Sequence, residues 1–98
     1  MKVRWSVYAL ADREEIFRFL EATSPRAALV VDERIADQAE RLSQFPDRGR
    51  LGRVSGTREL VIRRTPYIAA YRVTADAVVI VRVLHGAMVW PEQIPEIL

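Results

Sequence analysis

One histidine and a run of arginines carry most of the chemistry this chain could perform. His85 is the only histidine, and its ordinary pKa range suits proton transfer near neutrality. It follows the apolar run Ala77 to Leu84, where the side chains of a strand emerge at the rim of a sheet. A polar cap on that strand is its plainer role. Arg82 interrupts the same run. A guanidinium buried without a partner is expensive, so Arg82 must reach a carboxylate (Glu59 is one candidate), a carbonyl or the solvent-facing side of the sheet. Arg48, Arg50, Arg53, Arg58, Arg63 and Arg64 crowd a short stretch, and Arg72 follows. Arginine pairs bidentately with carboxylate or phosphate. The patch therefore suits a nucleic acid or an acidic protein partner, and a solvated charged loop is the plain alternative. Only Tyr67 and Tyr71 lie nearby to stack on bases. Trp5 and Trp90 suit the core or a partner contact.

Composition removes other classes. There is no cysteine, which excludes disulfides and zinc–thiolate sites. Carboxylate dyads, metal-ligand clusters, glycine-rich phosphate loops and nucleophile elbows are missing from the sequence, so neither cofactor nor metal is expected. No apolar run approaches the ~20 residues of a membrane span, and the chain is expected in a reducing cytoplasm. Ninety-eight residues, half of them hydrophobic and 29% charged, suit one globular domain spanning 1–98. The net charge of +2 hides an asymmetry. Asp12 to Asp47 carries nine acids and five bases, whereas Arg48 to Arg82 carries eight arginines against Glu59 and Asp76. A GC-rich genome explains arginine in place of lysine but not this clustering.

The elements that must position these residues follow from periodicity. Lys2 to Tyr8 alternates as a half-buried strand. Asp12, with Glu15 three residues on, predicts a helix start, and Ile16, Phe17 and Leu20 form its stripe. Ser24-Pro25 starts a second helix to about Ser43, whose buried face is Ala28, Val31, Ile35, Ala39 and Leu42. Phe45 to Gly56, with three glycines and three arginines, reads as an exposed basic loop. Strands are predicted over Thr57–Arg64, Tyr67–Thr74 and Ala77–Leu84, the last buried on both faces. Ala75 and Asp76 make a tight hairpin between the last two. That register sets Arg72 opposite Val79 and Tyr71 opposite Ile80, with Arg72 and Arg82 on different faces unless a bulge intervenes. A tail runs from His85 to Leu98. The fold class is α+β: an N-terminal strand, a helical hairpin, then three antiparallel strands, with the helices on one face and the other open to a partner.

In order and spacing, Phe45-Pro46-Asp47-Arg48-Gly49-Arg50, Gly56-Thr57-Arg58-Glu59-Leu60-Val61-Ile62, Pro66-Tyr67-Ile68-Ala69-Ala70-Tyr71-Arg72-Val73 and Val81-Arg82-Val83-Leu84-His85-Gly86 resemble RelE/ParE-type toxins. The Trp90-Pro91 end is similar to the plasmid-stabilisation subgroup. The resemblance implies a growth-inhibiting toxin held inactive, as a hetero-oligomer, by a cognate antitoxin. It offers two targets: DNA gyrase for ParE-like members, and the ribosome with its mRNA for RelE-like members. Ribosome-dependent cleavage needs an activated 2′-hydroxyl, a stabilised phosphate and a protonated leaving oxygen. Arg82 and His85 are the catalytic candidates under that reading. Against it, Ile68 stands where the nuclease branch places an arginine. A gyrase inhibitor is therefore expected ahead of an endoribonuclease, with a degenerate toxin that only binds antitoxin as the third alternative. The expected contacts to target or antitoxin are Arg48, Arg50, Arg53, Arg58, Arg63, Arg64, Arg72, Arg82, His85 and Trp90.

Overall fold

The computed structural model describes residues 1–92; the end of the tail, 93–98, lies outside them. Strand β1 (Lys2–Trp5) leads into helices α1 (Val7–Glu21) and α2 (Pro25–Glu40) and a 3-10 turn (Arg41–Ser43). Strands β2 (Arg50–Leu51), β3 (Arg58–Val61), β4 (Tyr67–Val73) and β5 (Ala77–His85) follow. They form one sheet in the order β1-β5-β4-β3-β2, with β1 parallel to β5 and every other pair antiparallel.

Two boundaries differ from the sequence expectation. β1 ends at Trp5, and α1 begins at Val7 rather than after Asp12. The reason is Ser6, wholly buried. Its hydroxyl accepts from Ala9 N at 3.0 Å and donates to the Val81 carbonyl at 2.9 Å. The N-cap is thus also a long-range tie, which the local pattern cannot show. Asp12 lies within the helix. α2 starts as predicted: Ser24 accepts from Ala27 N, and Pro25 occupies the first turn. It ends at Glu40, and the 3-10 turn carries the stripe on to Leu42.

The α1 and α2 stripes pack on one sheet face around Leu60, Ile62, Tyr71, Ile80 and Val83, with Ile16, Leu20 and Val31 at the margin. The other face is not bare, contrary to expectation. Val54, Ala70, Ala77, Val79 and Val81 form a second cluster there, and Trp90 packs against it. The segment read as an exposed loop supplies both β2 and the buried Val54. The hairpin register is as predicted: Tyr71 pairs with Ile80 and Arg72 with Val79. A bulge follows, since Ala70 pairs with Arg82 and leaves Val81 as the extra residue. That shift puts Arg72 and Arg82 on one side of the sheet.

Ser6→Ala removes a helix cap and a buried bond together. It should cost about 2 kcal/mol of unfolding free energy in a urea titration. A loss below about 0.5 kcal/mol would mean that α1 does not depend on this tie.

Candidate functional site

The arginines divide into three sets according to what holds them. The first set is closed on Glu59. This carboxylate lies in β3 opposite Arg50 and is 2% exposed. Arg50 Nη2 reaches it at 3.1 Å, Arg53 Nε at 3.0 Å and the Arg53 backbone amide at 2.7 Å. Burial works against its ionisation, but Arg53 and then Arg50 outweigh it and hold the carboxyl below its ordinary range. The Arg53 guanidinium also lies over Trp90, 3.8 Å from the ring centroid. The Trp90 indole in turn donates to the His85 carbonyl at 3.1 Å. Arg50, Arg53 and Trp90, expected as partner contacts, are therefore joined to one another across the helix-free face.

Arg82 is closed on Asp12, not on Glu59. Its Nε and Nη2 donate to the two Asp12 oxygens at 2.7 and 2.9 Å, and Val83 N donates to the same carboxylate at 2.9 Å. The hydrogen bonds that Arg82 donates to Asp12 hold its pKa above the ordinary value, against the opposing effect of burial. Arg72, on the same side by register, instead lies beneath the Ser55–Gly56 turn, donating to Ser55 O at 3.4 Å. The bulge has not brought the two guanidiniums to a common task. His85 accepts from Ala87 N through Nδ1 at 3.0 Å and meets Tyr67 edge to face. This is the geometry of a polar cap on the strand end. Ile68 is buried on the helix-free side, and Gly86 lies close enough that a Cβ there would come within 3.2 Å of Ile68 Cδ1.

The remaining arginines lie along the β3 edge. Arg58 straps the preceding loop by donating to Gly49 O at 2.8 Å, and Tyr71 bridges the same loop between Gly49 N and Pro46 O. No carboxylate among the described residues pairs with Arg48, Arg63 or Arg64. Arg64 turns the chain at a φ of 64°. Arg41, which the sequence pattern does not single out, joins Arg48 and Arg63 in lining a groove of about 260 Å³. Gln38 and Arg41 lie off the apolar stripe of α2 near its end, and that is the only signal available. Among the described residues there is no helix long and apolar enough to cross a membrane, and no cluster of metal-ligating groups.

Comparison with known proteins fits this architecture. Residues 3–90 match the family model described as the ParE toxin of the type II toxin–antitoxin system parDE. The chain is 40% identical over 91 residues to Y4kP of Sinorhizobium fredii, covering 93% of this chain and 94% of that protein. It is 38% identical over 86 residues to Toxin RelE2 of Caulobacter vibrioides, covering 88% and 96%. A structure of the chromosomal ParDE toxin–antitoxin system from P. aeruginosa superposes with a TM-score of 0.77 at 30% identity, over 85% of this chain and 92% of that one. Fold and sequence together define the RelE/ParE superfamily of toxins. Within it, the chain belongs to the ParE toxin family of type II toxin–antitoxin systems.

The clamp on Glu59 makes a pH-dependent contribution. Because its folded-state pKa is lowered, that contribution is complete above the ordinary value of 4.5 and is lost as pH falls below it. Glu59→Gln should cost about 1–3 kcal/mol at pH 7. The gap between the two unfolding curves should narrow steadily below pH 4.5. A gap that stays constant to pH 3 would show that the charge on Glu59 contributes nothing.

Proposed function

We propose that this toxin inhibits growth by binding DNA gyrase, that it is not a ribosome-dependent nuclease, and that a cognate antitoxin neutralises it. The carrying observation is that the nuclease candidates do not converge. Arg82 is consumed by Asp12, and His85 caps its own strand through Nδ1. Ile68, where the resemblance places an arginine in the nuclease branch, is buried. A transition state that must be stabilised at the phosphate and protonated at the leaving oxygen finds no assembled set of groups among the described residues. The match to a ParE family model supports the same reading. The similar P. aeruginosa structure is of a ParDE toxin–antitoxin system, which supports an antitoxin as partner. Such a complex would bury about 1,000 Å² or more in total.

Arg48, Arg63 and Arg64 are the natural contacts to a large acidic target, since Arg50 and Arg53 are committed to Glu59. Purified protein should inhibit supercoiling by gyrase or trap cleaved DNA, and should leave a message on translating ribosomes intact. Charge reversal at Arg63 and Arg64 should weaken that inhibition and reduce its salt sensitivity. His85→Gln should retain most toxicity, whereas loss of an acid–base catalyst costs roughly 10²- to 10⁴-fold. Codon-specific cuts with gyrase unaffected establish the nuclease reading. Normal growth with soluble, folded protein establishes a degenerate toxin.

A further inference from the structure

Three cations that the gyrase reading leaves unassigned stand together on the helix-free side. They lie toward the Thr74–Ala77 turn, at the opposite end of β4 from Arg63 and Arg64. In the register of β1, β5 and β4, Arg4 lies beside Val79 and Val79 beside Arg72, while Lys2 lies beside Ala77. Residues directly opposite one another project from the same face of a sheet. Ala77 and Val79 belong to the second apolar cluster, so Lys2, Arg4 and Arg72 rise on that side. Val3 and Trp5, which alternate with them, pack toward the helices. Strand geometry sets Arg4 and Arg72 about 10 Å apart at the backbone, and Lys2 about 7 Å from Arg4. Lys2 and Arg4 are exposed. Arg72 is half-buried: its Nε has no partner, and a 3.4 Å bond from Nη1 to Ser55 O is what holds the guanidinium.

No carboxylate among the described residues pairs with any of the three. Arg82, on the same side, is spent on Asp12. Asp76, in the turn before Ala77, is engaged by the Thr74 hydroxyl at 3.2 Å. The floor between the cations is Ala77 and Val79, both buried, in a strand flanked by β1 and β4. What this face offers is therefore positive charge and hydrogen-bond donors on a rigid support. We infer that it binds the phosphate backbone of duplex DNA without regard to base sequence, Lys2, Arg4 and Arg72 each neutralising one phosphate. A phosphate, only an acceptor, answers a site made only of donors. A duplex brings its charges already ordered along a stiff rod, whereas an acidic peptide must be immobilised residue by residue. Nothing here cradles such a peptide, since Lys2, Arg4 and Arg72 line none of the main grooves among the described residues. Trp90, packed on the second cluster with Arg53 over its ring, is not free to stack on a base, which favours a duplex over a single strand. The choice of DNA rests on the gyrase reading, whose target acts on DNA; the phosphate recognition stands without it.

The probe is a fluorescein-labelled DNA duplex of twenty mixed-sequence base pairs, titrated with the full chain and read by anisotropy. The logarithm of the affinity should fall against that of the salt concentration with a slope of about −2.7, which is −0.9 for each phosphate neutralised. A second duplex of unrelated sequence should give the same line. Lys2→Gln and Arg4→Gln should each make the slope shallower by about 0.9 and leave thermal unfolding unchanged. Arg26→Gln, which removes the same charge at the start of α2, should leave the slope as it is. A slope that answers to Arg63→Gln and Arg64→Gln but not to Lys2→Gln and Arg4→Gln overturns the inference. So does a polyglutamate peptide that displaces the duplex at equal charge, because the face is then a protein site. An RNA duplex of the same sequence that binds more tightly through the same residues overturns the choice of DNA. Gyrase inhibition is read separately. Duplex binding through Lys2 and Arg4 in a chain that leaves gyrase active upholds the face and sinks the gyrase reading, and inhibition without such binding sinks the face alone.

Discussion

The carboxylate of Asp12 settles how the longest strand of this protein can exist. β5 has nine residues and β1 pairs with only the first four of them. Past Ile80 the outer edge of β5 would present unpaired peptide groups, a condition that proteins avoid. α1 covers it with side chains in sequence, Ser6 on the Val81 carbonyl and Asp12 on the Val83 amide. The same carboxylate also satisfies Arg82, so an arginine can stand in an apolar strand without an orphaned charge. Because α1 must run along that edge, it has to begin immediately after β1. The early helix start and the loss of Arg82 as a free cation are thus one fact seen from two sides.

A parallel economy governs the helix-free face. Glu59 is the hub there, and its arginines fold the 50–57 segment back over the second apolar cluster while one of them holds Trp90. Charge that reads in the sequence as a surface for a partner is partly internal mortar. Apart from Arg72, what remains unpaired is displaced to the β3 edge and to the end of α2. The electropositive surface is accordingly narrower than eight clustered arginines imply.

How much of this is legible depends on how local the determining contact is. α2 is readable because cap, proline and stripe lie within one stretch of chain, and the Ala75-Asp76 hairpin because its turn fixes its own register. The start of α1 is hidden because Ser6, Val7 and Tyr8 prolong the alternation of β1, while the bond that buries the capping serine against Val81 spans 75 residues. Glu59 is a plausible partner for Arg82 on sequence grounds, yet the two acids and three arginines sort themselves by tertiary position, which no spacing rule encodes. β2, with two residues, falls below any periodicity, and its glycine- and arginine-rich surroundings look like loop. Arg41 escapes notice because it sits outside the basic stretch in sequence and beside it in space.

The sheet order also bears on the moment at which this chain can become itself. Among the described residues β1 pairs with no strand but β5, and the ties of Ser6 and Asp12 reach across 75 and 71 residues. During synthesis the helical hairpin therefore emerges with its apolar stripe uncovered and waits for the last strand of the sheet. Contacts of such long range form late and slowly, and a partly made chain exposes its hydrophobic surface meanwhile. The arginine edge takes its finished form only after nearly all of residues 1–85 have left the ribosome, so translation itself delays the assembly of that surface.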